Sequence, residues 1–227
     1  MSKYFQSKLK MFTEHLSEGC TAIINIDDDW SKEMIINIVN PIWTYSIKSS
    51  EADISILEDL SSINGIDLNI KTPQGKLHIQ SNLIGDFNKQ NLLGAVGALL
   101  SVGINPKVIQ DGLKRLNIPG RLELINCESG QVFVDYAHTP DSLKNVLQTL
   151  SKIKKGRIIT VFGCGGDRDK TKRPLMAEVA EEYSDIVFVT SDNPRTADPM
   201  RIIRDALVGA KNKRNVYAEV DRRLAIS

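Results

Sequence analysis

Residues 157–190 run RIITVFGCGGDRDKTKRPLMAEVAEEYSDIVFVT. Two apolar, β-rich runs, 157–163 and 185–190, flank a segment over 172–183 that predicts a helix. The order strand, helix, strand predicts a βαβ unit with parallel strands. The same rhythm continues on both sides. Upstream, LELINC (122–127) and QVFVDYA (131–137) predict strands joined by a Glu-Ser-Gly turn, with a helix over 140–152 after them. Downstream come a helix over 199–210, a strand NVYAEV (215–220) and the start of a new helix in EVDRRLAIS. A mainly parallel sheet binds ligands at the C-terminal ends of its strands. Those ends lead here into DYAHTPD, GCGGDRDKTKR and SDNPRTADP.

The rhythm is different before Pro119-Gly120. Residues 3–16 predict an amphipathic helix with Tyr4, Phe5, Leu9, Met11, Phe12 and Leu16 on one face. Lys8 interrupts that face, between Tyr4 and Phe12. TAIINIDDD (21–29) predicts a buried strand ending in three carboxylates. Four short runs (42–47, 52–60, 65–72 and 75–83) predict a small antiparallel layer. Helices are predicted over 88–102 and 105–116, the second opened by Asn105-Pro106. The 227 residues thus divide into two parts, 1–118 and 119–227.

Composition narrows the classes. The chain is 41% hydrophobic and 25% charged, which fits a globular protein and not a disordered one. A net charge of +1 argues against a basic nucleic-acid coat. The longest apolar run, 92–104, is broken by three glycines and is too short to span a membrane, so no membrane insertion is expected. Three cysteines without a C-x-x-C pair argue against a disulfide framework or a zinc site and fit a reducing cytoplasm. The polar start and the helix opening at the end lead us to expect a fragment of a longer protein.

Each loop allows two readings on its own chemistry. GCGGDRD follows a strand and could cradle an anion, or could be a tight glycine turn. A dinucleotide fingerprint would need a third glycine where Arg168 stands. Arg168, Lys170, Lys172 and Arg173 favour an acidic ligand. The pattern G-x-x-x-x-G-K-[ST] is absent at all 15 glycines, so the chain has no recognisable ATP phosphate loop. In DYAHTPD, Asp135 and His138 could meet ribose hydroxyls or a metal-bound phosphate; otherwise Asp135 caps a turn and Asp141 helps start a helix. In DNPRTADP, Asn193 and Arg195 could grip a carboxylate, or the loop could be a surface turn. Lys8 could snorkel to water, or could carry an amine whose lowered pKa allows carbamylation. Asp27, Asp28 and Asp29 could face a nucleotide cleft or cap turns.

Taken in order, Y-F-x-x-K-x-x-x-F, I-N-x-D-D, G-D-F-N-K-Q-N-L-L-G-A, P-G-R-L-E, V-D-Y-A-H-T-P-D, F-G-C-G-G-D-R-D-K-x-K-R-P and D-N-P-R-T-A-D-P closely resemble the Mur ligases of peptidoglycan synthesis. The nearest likeness is to the branch that adds the third residue of the stem peptide. The resemblance runs from about residue 3 to the end. It implies an α/β fold: the back half of a central ATPase domain (1–118), then most of a Rossmann-like, mainly parallel-sheet, amino-acid-binding domain (119–227). It also implies that a UDP-substrate domain, the phosphate loop, the glutamate and histidine that hold magnesium, and a late G-K-G-H-E segment lie outside this chain, so that the chain alone is inactive.

Residue by residue, the resemblance makes Lys8 a carbamylated lysine that helps position magnesium. It places Asn88 and Asn91 near adenine, and Arg121, Asp135 and His138 at the nucleotide. Arg168, Asn193 and Arg195 then form the amino-acid pocket. ATP and Mg2+ are the implied cofactors. UDP-N-acetylmuramoyl-dipeptide and meso-diaminopimelate are the implied substrates, because D-N-P-R offers an arginine to a second carboxylate that lysine lacks. Two alternatives remain: a related ligase such as folylpolyglutamate synthetase, which should lack D-N-P-R, and a non-catalytic binding module.

Overall fold

A computed structural model describes residues 2–127 and 130–227, so the Glu-Ser-Gly turn expected at 128–130 falls partly outside the described residues. Two compact units divide between Glu123 and Leu124, each with its own core. The P-G-R-L-E turn packs with the first unit. Gly120 N–H donates to the Glu123 carboxylate at 2.8 Å, and Leu122 is buried.

The first unit holds strands β1 (Ala22–Asn25), β2 (Ile42–Ser46), β3 (Ile54–Asp59), β4 (Ile66–Thr72) and β5 (Gly75–Ser81), hydrogen-bonded in that order. Four helices accompany them: α1 (Ser2–Thr13), α2 (Ser31–Ile36), α3 (Asp86–Ser101) and α4 (Pro106–Lys114). The expected antiparallel layer is only partly found. β3, β4 and β5 are antiparallel, but β1, β2 and β3 are parallel. Side-chain alternation predicts a strand and its buried face; it carries no information about the direction of the neighbour. β4 shows the alternation well, with Ile66, Leu68, Ile70 and Thr72 buried. α3 lies on β1 and β2 through Gly94 and Gly97. A Cβ at Gly97 would stand 2.7 Å from Ile54 Cδ1 and 2.9 Å from Ile23 Cγ2. α4 starts as expected, with Asn105 Oδ1 accepting from Lys107 N–H at 2.8 Å and Pro106 in the first turn.

The second unit contains β6 (Glu123–Cys127), β7 (Gly130–Val134), α5 (Pro140–Ile153), β8 (Ile159–Cys164), α6 (Lys172–Tyr183), β9 (Ile186–Ser191), α7 (Pro199–Leu207), β10 (Val216–Glu219) and α8 (Arg222–Ile226). β10, β9 and β8 form the expected parallel sheet, in that order. Its buried residues Phe162, Val187 and Val189 meet Leu147, Met176 and Ile203 of the helices. β7 does not join this sheet; it pairs with β6 in a separate two-stranded one. The two runs are adjacent in sequence, so pairing them closes only a short loop. DYAHTPD therefore does not leave the parallel sheet, contrary to the sequence expectation.

Candidate functional site

The loops after β8 and β9 meet at the C-terminal edge of the parallel sheet. Gly163 permits the approach: a Cβ there would stand 2.5 Å from the Thr190 carbonyl oxygen and 3.0 Å from Arg222 Nη2. Gly166 N–H donates to the Asn193 carbonyl at 2.8 Å, and a Cβ on Gly166 would run into the Pro194 carbonyl. Glycine is thus required here for close contact, and not for turning: Gly163, Gly165 and Gly166 all keep a backbone that other residues adopt. The Asp167 carboxylate accepts from Thr196 Oγ1, which lies 3.0 Å from both of its oxygens. The Arg168 stem lies beside Gly165, whose Cβ position is 3.8 Å from the Asn193 carbonyl.

Arg168, Asn193 and Arg195 are thereby brought to one pair of laced loops, and all three are exposed. Neither arginine has an ion pair among the described residues. Asp169 holds its own loop, accepting from Thr171 N–H and Oγ1, which lowers its pKa. The result is a surface with two exposed guanidinium groups, on which the Asp167 and Asp169 carboxylates are hydrogen-bonded to threonines. It suits an anionic ligand.

Arg173 behaves differently from its basic neighbours and corrects the expectation that it faces an acidic ligand. It is 2% exposed, donates from Nη1 to Asp205 at 2.7 Å and from Nη2 to the Gly165 carbonyl at 3.3 Å. It braces the glycine loop from below. Cys164 ends β8 just above it. Burial, more than any charge, pushes the Cys164 thiol up to about 11. Asp192 is exposed beside Arg222, with Asp192 Oδ1 3.8 Å from Nη2. Asp167, Asp192 and Thr196 were not singled out in the sequence. The left-handed backbone of Asp167, just after Gly165-Gly166, is visible only in the structure.

In DYAHTPD, Asp135 Oδ1 accepts from Ala137 N–H at 2.8 Å, so its turn-capping role is realised. His138 Nδ1 lies 3.1 Å from the Tyr136 carbonyl oxygen, and the two rings meet edge to face at 5.3 Å. Thr139, not Asp141, caps α5, through a capping box with Ser142.

The first unit carries the remaining residues. Phe5 and Leu9 form the buried side of α1, with Phe5 stacked on Trp30 at 4.9 Å. Tyr4 is 65% exposed, and Lys8 is exposed with its amine 5.4 Å from the Tyr4 ring centre. The expectation of a desolvated Lys8 amine is therefore corrected: the apolar face of α1 is narrower than the helical wheel drew it. Asn88 is 3% exposed and donates from Nδ2 to the Ile84 carbonyl at 2.8 Å. Asn91 is exposed and donates to Asn88 Oδ1 at 3.4 Å. Arg121 is exposed. Asp27 latches β1 to the end of β2, accepting from Ser46 Oγ and from Ile47 N–H. Asp28 caps a turn through Trp30 N–H. Burial, then the Asp27 and Asp28 charges, raise the Tyr45 hydroxyl pKa.

Mur ligases use ATP and Mg2+. The described residues fit the nucleotide only in part. Amide, carboxylate and guanidinium groups for a base and ribose are present, whereas the sequence holds no phosphate loop. Among the described residues no three His, Cys, Asp or Glu side chains converge on a metal position. They do not make a magnesium site by themselves. No helix among them is long and apolar enough to cross a membrane.

Comparisons with known proteins agree with the geometry. Residues 1–99 match the Mur ligase middle domain and residues 120–227 the Mur ligase, glutamate ligase domain. UDP-N-acetylmuramoyl-L-alanyl-D-glutamate–2,6-diaminopimelate ligase of Aquifex aeolicus is 45% identical over 226 residues, covering 100% of this chain and 46% of that protein. The ligase of the same name from Nostoc sp. is 42% identical over 232 residues, with the same coverage. A solved structure of such a ligase superposes with a TM-score of 0.65 at 36% identity, over 99% of this chain and 47% of that one. Folylpolyglutamate synthase of Thermotoga maritima reaches 0.78 at 17% identity, over 100% and 53%, which shows a shared fold. The chain spans about half the length of the curated relatives it matches. With two domain types matched in succession over nearly all its residues, the chain belongs to the Mur ligase family.

Proposed function

We propose that this chain supplies the back half of the ATP-binding domain and most of the amino-acid-binding domain of an amide ligase. The full-length protein adds meso-diaminopimelate to UDP-N-acetylmuramoyl-L-alanyl-D-glutamate in peptidoglycan synthesis. The observation that carries this reading is the laced pair of loops with Arg168, Asn193 and Arg195 exposed at a parallel-sheet edge. Similarity to ligases named for diaminopimelate supports the choice of amino acid.

The D-glutamate carboxylate attacks the γ-phosphorus of ATP, giving an acyl phosphate and ADP. The amine of diaminopimelate attacks the acyl carbon, the C–O bond to phosphate breaks, and phosphate leaves with the amide formed. The amine sheds a proton to solvent or a nearby base. Enzymes of this kind act mainly by positioning and charge neutralisation. Arg195 grips the distal carboxylate as a planar fork, Asn193 adds a hydrogen bond, and Arg168 adds a second positive charge. Asn91 meets the adenine, and Asn88, bonded behind it, orients Asn91. Asp135 holds ribose hydroxyls beside His138, and Arg121 contacts the nucleotide. Lys8 serves as a carbamylated lysine; its exposure means that another part of the full-length protein must supply the desolvation.

Phosphate release by the purified full-length protein tests the reading. It should require ATP, the UDP-muramoyl-dipeptide and meso-diaminopimelate together. Equal release with the amino acid left out contradicts it.

A further inference from the structure

Asp167 and Arg195 both adopt left-handed backbone, with φ of +52° and +51°. That conformation is uncommon for an L residue, and arginine lacks the short polar side chain with which Asp or Asn bonds its own backbone there. The two residues sit on opposite loops and are tied through one contact. Thr196 Oγ1 lies 3.0 Å from each Asp167 carboxylate oxygen, and Thr196 N–H points at Oδ2 from 3.5 Å. On the other side of Arg195, Gly166 N–H bonds the Asn193 carbonyl at 2.8 Å. The backbone of Arg195 is therefore bracketed by ties to the glycine loop.

We propose that Asp167 and Thr196 are a positioning pair. Their clasp fixes the left-handed turn at Arg195, aims its guanidinium, and decides the affinity for the dicarboxylic amino acid. This rests on the reading of the two loops as the amino-acid site. Asp169 is held within its own loop in the same way by Thr171.

Steady-state KM values of the full-length ligase for meso-diaminopimelate, ATP and the UDP-muramoyl-dipeptide test the pair in Thr196→Val, Thr196→Ser, Asp167→Asn and Arg195→Ala. Loss of a hydrogen bond to a charged group predicts about a ten-fold rise in the diaminopimelate KM for Thr196→Val. The ATP and dipeptide KM values should stay within roughly two-fold of the parent. Thr196→Ser keeps the hydroxyl and should restore the parent value. Asp167→Asn tolerates left-handed backbone and should give a smaller rise, so it carries the test if Thr196→Val does not fold. A parent-like diaminopimelate KM in Thr196→Val, an equal rise in all three KM values, or a serine variant as impaired as valine overturns the proposal. If Arg195→Ala raises the diaminopimelate KM while Thr196→Val and Asp167→Asn do not, only the clasp fails. If Arg195→Ala leaves it unchanged, the reading of the site fails with it.

Discussion

Arg195 has no ion pair among the described residues and stands exposed on a braced loop. A charged group in that state costs little to expose and gains much from a matched carboxylate. On the proposed function, replacing it by alanine removes a bidentate, charge-assisted contact with the ligand carboxylate of about 1.5–3 kcal/mol. Arg195→Ala in the full-length protein should therefore raise the KM for meso-diaminopimelate about ten- to hundred-fold, with little change for ATP. Initial-rate kinetics decide this, and equal effects on both substrates would contradict it. Lys8 poses a different question. If its amine carries a carbamate, Lys8→Ala should abolish most activity, and mass analysis of the native protein should find the added carbon dioxide. An active alanine variant would leave Lys8 as an exposed lysine resting on Tyr4. The functional motifs were legible at this scale because loop chemistry is written in short strings. The apolar face of α1 was drawn too wide because a helical wheel shows where apolar residues cluster, not which of them are covered; Phe5 stacks on Trp30, whereas Tyr4 and Met11 stay exposed. Arg173 was misjudged because a run of basic residues does not reveal that one of them turns inward to Asp205.

Among the elements, α3 lies so close to the first sheet at Gly97 that a Cβ there would press on the Ile54 and Ile23 side chains. Gly97→Val would force Ile54 and Ile23 aside and should cost about 1–3 kcal/mol. Gly112 in α4 has nothing within 4 Å of its Cβ position. Gly112→Ala should instead stabilise by up to about 1 kcal/mol, because alanine prefers the helix. Thermal melts of the two variants should move in opposite directions; a parallel shift would contradict the packing argument. Asp185, the residue before β9, ties the start of that strand to Ile158, the residue before β8. It accepts from Ile158 N–H at 2.7 Å and from Lys154 Nζ at 3.1 Å, and the first of these is the larger cause of its lowered pKa. A carboxyl with a depressed folded pKa stabilises the fold above its unfolded pKa and loses that contribution as pH falls through the folded value. Asp185→Asn should thus be less stable than the parent near neutral pH, and the gap should close below the ordinary aspartate range. Denaturant melts at neutral and acid pH check this, and a gap that persists in acid would contradict it.

Element positions were largely legible, since hydrophobic period and caps are local. α2 went unseen, being only six residues long with no side-chain hydrogen bond at its N-cap. The parallel β1–β2–β3 edge and the separate β6–β7 pair also went unseen, because partner choice depends on contacts distant in sequence.

For the whole molecule, likeness of fold and likeness of sequence separate. The chain superposes on a folylpolyglutamate synthase at a TM-score of 0.78 and on a diaminopimelate ligase at 0.65, yet the identities run the other way, 17% and 36%. On the proposed function, the loops after β8 and β9 choose the amino acid: Arg168 and Arg195 match the distal carboxylate of diaminopimelate, whereas lysine brings only an ammonium to them. The most direct measurement offers equimolar meso-diaminopimelate and L-lysine with ATP and the UDP-muramoyl-dipeptide, and weighs the UDP-muramoyl-tripeptide products by mass spectrometry. Diaminopimelate product should exceed lysine product by about ten-fold or more. Equal amounts of the two, or a lysine product alone, would contradict the account.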